Sequence, residues 1–415
     1  MVFIDTKYRP DPRNDFVIEL KIKPHNMSLL NAGEAIAEYT SLRFWDECNK
    51  DFPKESVKLK PKVCDKDDSE SKIWISYPRD LFGLNNVSDL LSLYYKINSL
   101  GFLTEVKLTD IHIPSRSLTR FYGPRFGSSE FSKIIKFDGP YISVVLDKSL
   151  SLTPSSQAKL AYELWSSGVD MVREDFALNE ISTNDFFQRV SKTLTMMFRA
   201  EKESGKKKLF LPNITSEMSE MITKADLVKN IGGNSVLINS SSCGASAISS
   251  LRKYSNVFIF GDFIFSQLEI CNPNKGISPL AAAKITQLSG LDIINIGSPK
   301  IFDMVIGYDY TRYGLELEDL KDVYSSMLSS KKEIKPVLPF VGGGLYPSVL
   351  PELVSKTGRN IILDFNESCY DHPDGFKSGA ISLVQAKEAI IAKKPIEQFA
   401  KGKKELSKSL LKWSN

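Results

Sequence analysis

Eight short apolar runs in the second part of the sequence each lead into residues able to do chemistry. Asp147 follows the first run, Arg173, Glu174 and Asp175 the second, Asn213 the third, and Ser240 to Ser242 the fourth. Asp262, then Asn295 with Lys300, then Gly342 to Gly344, then Asn366 with Glu367 follow the last four. An aspartate beside an arginine can be a general base whose proton affinity the cation sets. It can equally be half of a structural ion pair, because a buried carboxylate needs a partner. Asp147 and Arg173 stand open to both readings, since neighbouring strands run ~4.8 Å apart. Asp147, Asp175, Asp262 and Glu367 carry the oxygen ligands that Mg²⁺ prefers, but Arg173 would repel the ion, so no metal is expected. Gly343 and Gly344 could turn backbone N–H groups toward a phosphate or simply make a tight turn, and Glu367 opposes an anion. The three histidines, His25, His112 and His372, do not cluster, and neither a Ser/His/Asp set, a P-loop nor a Gly-rich dinucleotide motif is present.

The elements that must position these residues follow from the spacing. The runs ISVVLD, GVDMVRED, KLFLPN, SVLINS, VFIFGD, LDIINIG, KPVLPFVGGG and NIILDF alternate with helix-length periodic segments. Parallel strands need such crossovers, and runs that are apolar throughout fit burial on both faces. The pattern predicts an α/β fold, first a (β/α)8 TIM barrel over residues 136–395 and second an open doubly wound sheet, with the chemistry of the barrel at the C-terminal ends of its strands. Alternation along a strand puts Arg173 and Asp175 on one face and Glu174 on the other. Residues 1–135 predict an α+β domain, with strands at FVIELKIKP, KIWISYPRDLF and EVKLTDIHIP and helices at SLLNAGEAIAEYTSL and VSDLLSLYYKINSLG. Residues 396–415 predict a Lys-rich C-terminal helix with a solvated face.

Composition bounds the partners. The 415 residues carry 54 Lys+Arg against 50 Asp+Glu, a net charge of +4, which is too small to argue for a nucleic-acid surface. No apolar run reaches the ~20 residues of a membrane helix, and the N-terminus has no signal-peptide pattern, so a cytoplasmic protein is expected. Five cysteines without a C-x-x-C support neither a disulfide framework nor a zinc site.

The segments AIAEYTS, WISYPRDLFG, INSLGF, LTDIHIP, YGPRFG, SGVDMVRED, QLSGLDIINIG, LPFVGGG and DHPDGFKSGA, in that order, resemble the large subunit of RuBisCO and the RuBisCO-like proteins. The resemblance implies a ferredoxin-like α+β domain ahead of the barrel. It also implies a homodimer in which the first domain of one subunit covers the barrel mouth of the other. It matches Glu38 and Asn98 to the family's active-site Glu and Asn. The family's G-L-D-F-x-K-D-D-E motif, whose lysine is carbamylated and binds Mg²⁺, reads here Gly168-Val169-Asp170-Met171-Val172-Arg173-Glu174-Asp175-Phe176. An arginine stays protonated and is no nucleophile for CO₂, and phenylalanine cannot ligate a metal. The K-P-K-L-G-L-S motif falls on Asp147 to Thr153, the strand-six histidine on Asn295, and the mobile-loop lysine on Phe302, with Lys300 close enough to stand in if that loop is realigned. Gly343 and Gly344 of the phosphate-binding S-G-G are kept.

Residue by residue, the resemblance therefore implies a divergent, form IV type RuBisCO-like protein with no cofactor and no carboxylase activity. The expected role is that of a dimeric, non-catalytic barrel for binding or regulation. The alternative is a metal-independent isomerase or enolase-type enzyme on a small sugar-derived or carboxylic substrate. In that case Asp147 or Asp262 is the base, Arg173 the fixed positive charge, and Gly343 and Gly344 the anion donors. Self-association and a small-molecule ligand are the expected partners, with no nucleic acid, membrane or small subunit.

Overall fold

The computed structural model describes residues 3–41, 58–82, 86–136, 139–147, 152–176, 183–299, 315–329 and 332–413. The chain forms two compact units: Met1–Gly123 with Phe265–Ser289 and Lys331–Ile334, and Pro124–Ile264 with Gly290–Ser330 and Lys335–Asn415.

In the first unit, strand β1 (Asp15–Pro24) lies between β3 (Lys72–Pro78) and β4 (Leu103–His112), antiparallel to both. β2 (Lys62–Asp67) extends the sheet antiparallel to β3. Helices Leu29–Thr40 and Val87–Asn98 begin at side-chain caps: Ser28 accepts from the Asn31 N–H, and Asn86 from the Asp89 N–H. Both bury one apolar stripe, Ile36 and Ala37 on the first and Leu90, Leu93 and Ile97 on the second. Gly33 lets the first helix approach the sheet closely, since a Cβ there would displace the end of the Ile73 side chain. The three strands and two helices expected from the sequence are all present; β2 was not expected.

In the second unit, the barrel runs through β5 (Tyr141–Leu146), β6 (Met171–Glu174), β7 (Leu209–Leu211), β8 (Ser235–Ile238) and β9 (Phe258–Gly261). The chain then leaves for β10 (Lys275–Ile277), which pairs parallel to β4 in the first unit's sheet. It returns as β11 (Ile293–Asn295), β12 (Leu338–Gly342) and β13 (Ile362–Phe365). The barrel sheet has the order β7-β6-β5-β13-β12-β11-β9-β8, and its ladders are parallel. The Ile214 N–H donates to Leu237 O (2.9 Å) and the Leu237 N–H to Pro212 O (2.8 Å), which joins β7 to β8 and closes the ring. All eight expected runs are strands of this sheet. The fold is a (β/α)8 barrel accompanied by an α+β domain.

Tyr141, Met171, Leu209, Leu211, Leu237, Phe258, Phe260, Ile293, Leu338, Phe340 and Ile362 fill the barrel interior as one buried cluster. The residues between them, such as Val172, Phe210, Ile259 and Val341, are buried on the opposite face of the sheet. Burial on both faces is the reason these strands read as continuous apolar runs. The Lys-rich end forms two helices, Ile396–Ala400 and Lys404–Trp413. The second buries Leu406 and sets Trp413 against Tyr346 with ring centroids 4.3 Å apart. Among the described residues, no helix is long and apolar enough to cross a membrane.

Phe260 is wholly buried on the barrel axis, 4.5 Å from the Phe340 ring centroid. Phe260→Ala should lower stability by about 3–5 kcal/mol, read from the shift of the urea unfolding transition of the second unit. A loss below about 1 kcal/mol would mean that the axis is not close-packed at this level.

Candidate active site

Arg173 projects into the barrel from β6, on the same face as Met171. Strand register sets it beside Val145 on β5 and Leu211 on β7. Asp364 on β13 lies in register with Ser143 on β5 and Gly342 on β12, two small residues that leave space at this level. A Cβ on Gly342 would crowd both Asp364 and Phe340 at 3.1 Å. Across that space the Arg173 Nε and Nη2 both donate to Asp364 Oδ2, at 2.9 and 2.7 Å, and Nη1 donates to Glu174 O at 3.0 Å. The side chains of the pair are 12% and 3% exposed, so this is a buried ion pair. The guanidinium also lies over the rings of Phe176 and Phe340, at 5.2 and 5.9 Å.

The expected meeting of Asp147 with Arg173 is replaced by this contact. The register places Val145 beside Arg173, and Asp147 lies two residues nearer the mouth, where its Oδ2 accepts from Asn366 Nδ2 at 2.8 Å. Tyr370 closes the same side, its hydroxyl donating to Val145 O at 2.7 Å. Burial above all, with the Asp147 and Asp364 charges added, drives its pKa well up and keeps it a neutral donor. Glu174 points away from the axis as alternation predicts. It is fully buried, accepts from Gln157 Nε2 (2.8 Å) and the Asn213 N–H (2.8 Å), and pairs with Arg189. Asn213 is a brace: its Nδ2 donates to the carbonyls of Asp175 and Phe176, each at 3.0 Å.

Asp262 follows β9, four strands from β5 in either direction around the ring, so it faces Asp147 across the mouth. The two carboxylates cannot work as one dyad. The Ser240 N–H donates to Asp262 Oδ1 at 2.6 Å, yet burial raises the carboxyl pKa above its ordinary value. Asn295 turns its Oδ1 back to the Gly297 N–H (3.0 Å). Gly343 and Gly344 are exposed and take left-handed φ of 94° and 64°, which favours glycine at both positions. Glu38 and Asn98 are exposed on helices Leu29–Thr40 and Val87–Asn98 of the first unit, and Asn98 Nδ2 caps Tyr94 O at 2.9 Å. Lys300 lies outside the described residues. The residue that sequence reasoning missed is Asp364. The available signal was a carboxylate on the inward face of an otherwise apolar run.

Among the described residues no group of three His, Cys, Asp or Glu side chains could hold a metal ion. Near Arg173, Glu174 is turned outward, Asp364 is committed to the guanidinium, and Phe176 packs on Phe260 at 5.9 Å.

Removing one member of a buried pair leaves an uncompensated charge. Asp364→Ala should cost about 3–5 kcal/mol of stability, and the double variant Arg173→Met/Asp364→Leu should recover most of it in thermal unfolding. Equal losses in both would show that packing, not charge, dominates. At Asp262 the raised pKa means that the folded state holds the proton to higher pH than the unfolded chain. Folding is therefore penalised above the carboxylate range and not below it. Asp262→Asn should raise Tm at neutral pH and lose that gain as pH falls through the carboxylate range. A pH-independent effect would contradict the assignment.

Two family profiles match the chain, described as ribulose bisphosphate carboxylase large chain, N-terminal domain, over residues 2–117, and catalytic domain, over residues 128–413. A relative named ribulose bisphosphate carboxylase from Methanocaldococcus jannaschii is 31% identical, with 100% of each chain covered. Among solved structures, an octameric ribulose-1,5-bisphosphate carboxylase/oxygenase from Pyrococcus horikoshii is similar with a TM-score of 0.87 at 28% identity, covering 98% of this chain and 95% of that one. A dimeric archaeal Rubisco from Hyperthermus butylicus is similar with a TM-score of 0.86 at 26% identity, covering 99% and 98%. These matches overturn the expected non-catalytic binding or regulatory role, and the metal-independent isomerase alternative falls with it. The relatives at 28–31% identity reported above carry the carboxylase name, so the form IV and non-carboxylating labels are not supported. The expectation of no cofactor, with Mg²⁺ excluded by Arg173, is corrected on the same finding, and nothing in the structure shows that cofactor to be absent. With both of its domains matched, the chain belongs to the RuBisCO large-chain family.

Proposed function

We propose that this chain acts on ribulose bisphosphate at the C-terminal mouth of its barrel, in the carboxylation for which its relatives are named, and that it does so as a homodimer. The observation that carries the reading is the end-to-end similarity to a chain of that name at 31% identity. Assembly into dimers and octamers by the similar solved structures supports self-association. In this reading Arg173, fixed by Asp364, is the permanent cation that stabilises negative charge developing on a substrate oxygen. The left-handed Gly343–Gly344 turn is assigned to a phosphate, and Asp147 and Asp262 to opposite sides of the substrate. Asp175 and Asn295 complete the barrel's set.

The test is fixation of radiolabelled bicarbonate by the purified protein with ribulose bisphosphate, run with and without Mg²⁺. Label in phosphoglycerate, lost in Arg173→Met, is expected. No label under any of these conditions, in a protein whose Tm ribulose bisphosphate still raises, would overturn the reaction while leaving the substrate in place.

A further inference from the structure

The N-terminal end of the barrel carries a cavity of about 770 Å³, within the usual range for small-molecule sites. Its walls come from residues just ahead of three strands: Ile135 and Lys136 before β5, Gly168 and Asp170 before β6, and Lys206 and Lys207 before β7. This is the opposite end from Asp147, Arg173 and Asp262, which lie at or beyond the strands' C-terminal ends. Two of the three carboxylates in the wall are spent, and the third, Glu388, is exposed with Lys403 Nζ 4.0 Å away. Asp170 takes Lys387 Nζ at 2.6 Å and the Ile142 N–H at 2.8 Å. Glu201 takes Lys207 Nζ at 2.9 Å and the Lys208 N–H at 3.0 Å. Lys136, Lys202 and Lys206 are exposed around the same cavity, and among the described residues none of the three makes an ion pair. Lys202 and Lys206 lie at the C-terminal end of helix Thr183–Ser204, where the helix dipole favours cations. That effect does not account for Lys136, which arrives from a different element. The wall also has an apolar part, with Phe198 41% and Ile391 37% exposed. Phe198 and Lys202 stand one turn apart on the same helix, so a ring and a cation share one face.

We propose that this cavity binds a nucleoside polyphosphate, with its phosphates on Lys136, Lys202 and Lys206 and its base against Phe198. A cluster of unpaired ammonium groups attracts a polyanion, and an exposed aromatic face supplies a stacking surface for a base. The site is separate from the barrel mouth and does not depend on the reaction there.

Isothermal titration of the full-length protein with ATP, inorganic tripolyphosphate and adenosine tests the assignment. ATP is expected to bind more tightly than either of the others and to weaken as salt is raised. Lys202→Glu/Lys206→Glu should weaken ATP and tripolyphosphate at least tenfold. Phe198→Ala should weaken ATP alone. All three substitutions are on exposed side chains, and an unchanged Tm confirms that the variants fold. ATP binding unaltered by the double charge reversal, or no ATP binding at millimolar concentration, would overturn the site. Equal affinity for ATP and tripolyphosphate, unmoved by Phe198→Ala, would overturn the nucleotide.

Discussion

A guanidinium inside a strand-walled barrel must be neutralised where it stands, and at Arg173 that requirement organises the whole mouth. Its carboxylate comes from β13, with β5 lying between the two strands. The contact is possible because the residues in register with Asp364 are Ser143 and Gly342, neither of which fills the axis at that level. Below the pair, Phe260 and Phe340 exclude water, which lowers the local dielectric and makes both the charge and its partner indispensable to each other. Above it, Asp147 is left to Asn366 rather than to the cation. One ion pair therefore decides which carboxylate of the mouth meets the cation.

The barrel's frame was legible because it is written locally. Eight runs that are apolar at every position imply two buried faces, and the helix-length segments between them imply parallel return. Alternation also placed Glu174 on the outer face, where Gln157 and the Asn213 amide hold it. β2 was not legible, because Lys62–Asp67 is mostly charged and buries only Val63 and Cys64. β10 is three residues long and exists only through its pairing with β4, a partner more than 160 residues earlier.

The candidate site was legible in its residue types and not in its pairings. Strand-end positions brought Asp147, Arg173 and Asp262 into consideration, and all three are at the barrel mouth. Who meets whom depends on register, a property of the closed sheet that no local spacing contains. The spacing of neighbouring strands allowed Asp147 to meet Arg173. The observed pairing sets Val145 there, and this two-residue offset is what transfers the guanidinium to Asp364. Asp147 and Asp262 likewise look equivalent in sequence, yet they stand four strands apart around the ring.

Family membership and local charge answer different questions about this molecule. Similarity over both domains fixes the fold and brings with it a substrate and an assembly to test, because those depend on a frame that hundreds of positions share. The electrostatics of the mouth depend on a few side chains, and two of them, Arg173 and Asp364, form a pair internal to this chain. A fixed, fully neutralised guanidinium is preorganised: it needs no reorganisation to meet a developing oxyanion, but it offers only the donors that Asp364 and the Glu174 carbonyl leave over. At the other end of the barrel the balance is reversed, with Asp170 and Glu201 occupied and Lys136, Lys202 and Lys206 left without ion pairs among the described residues. Strand direction thus separates a mouth whose cation is internally neutralised from a base whose cations are open to an external anion.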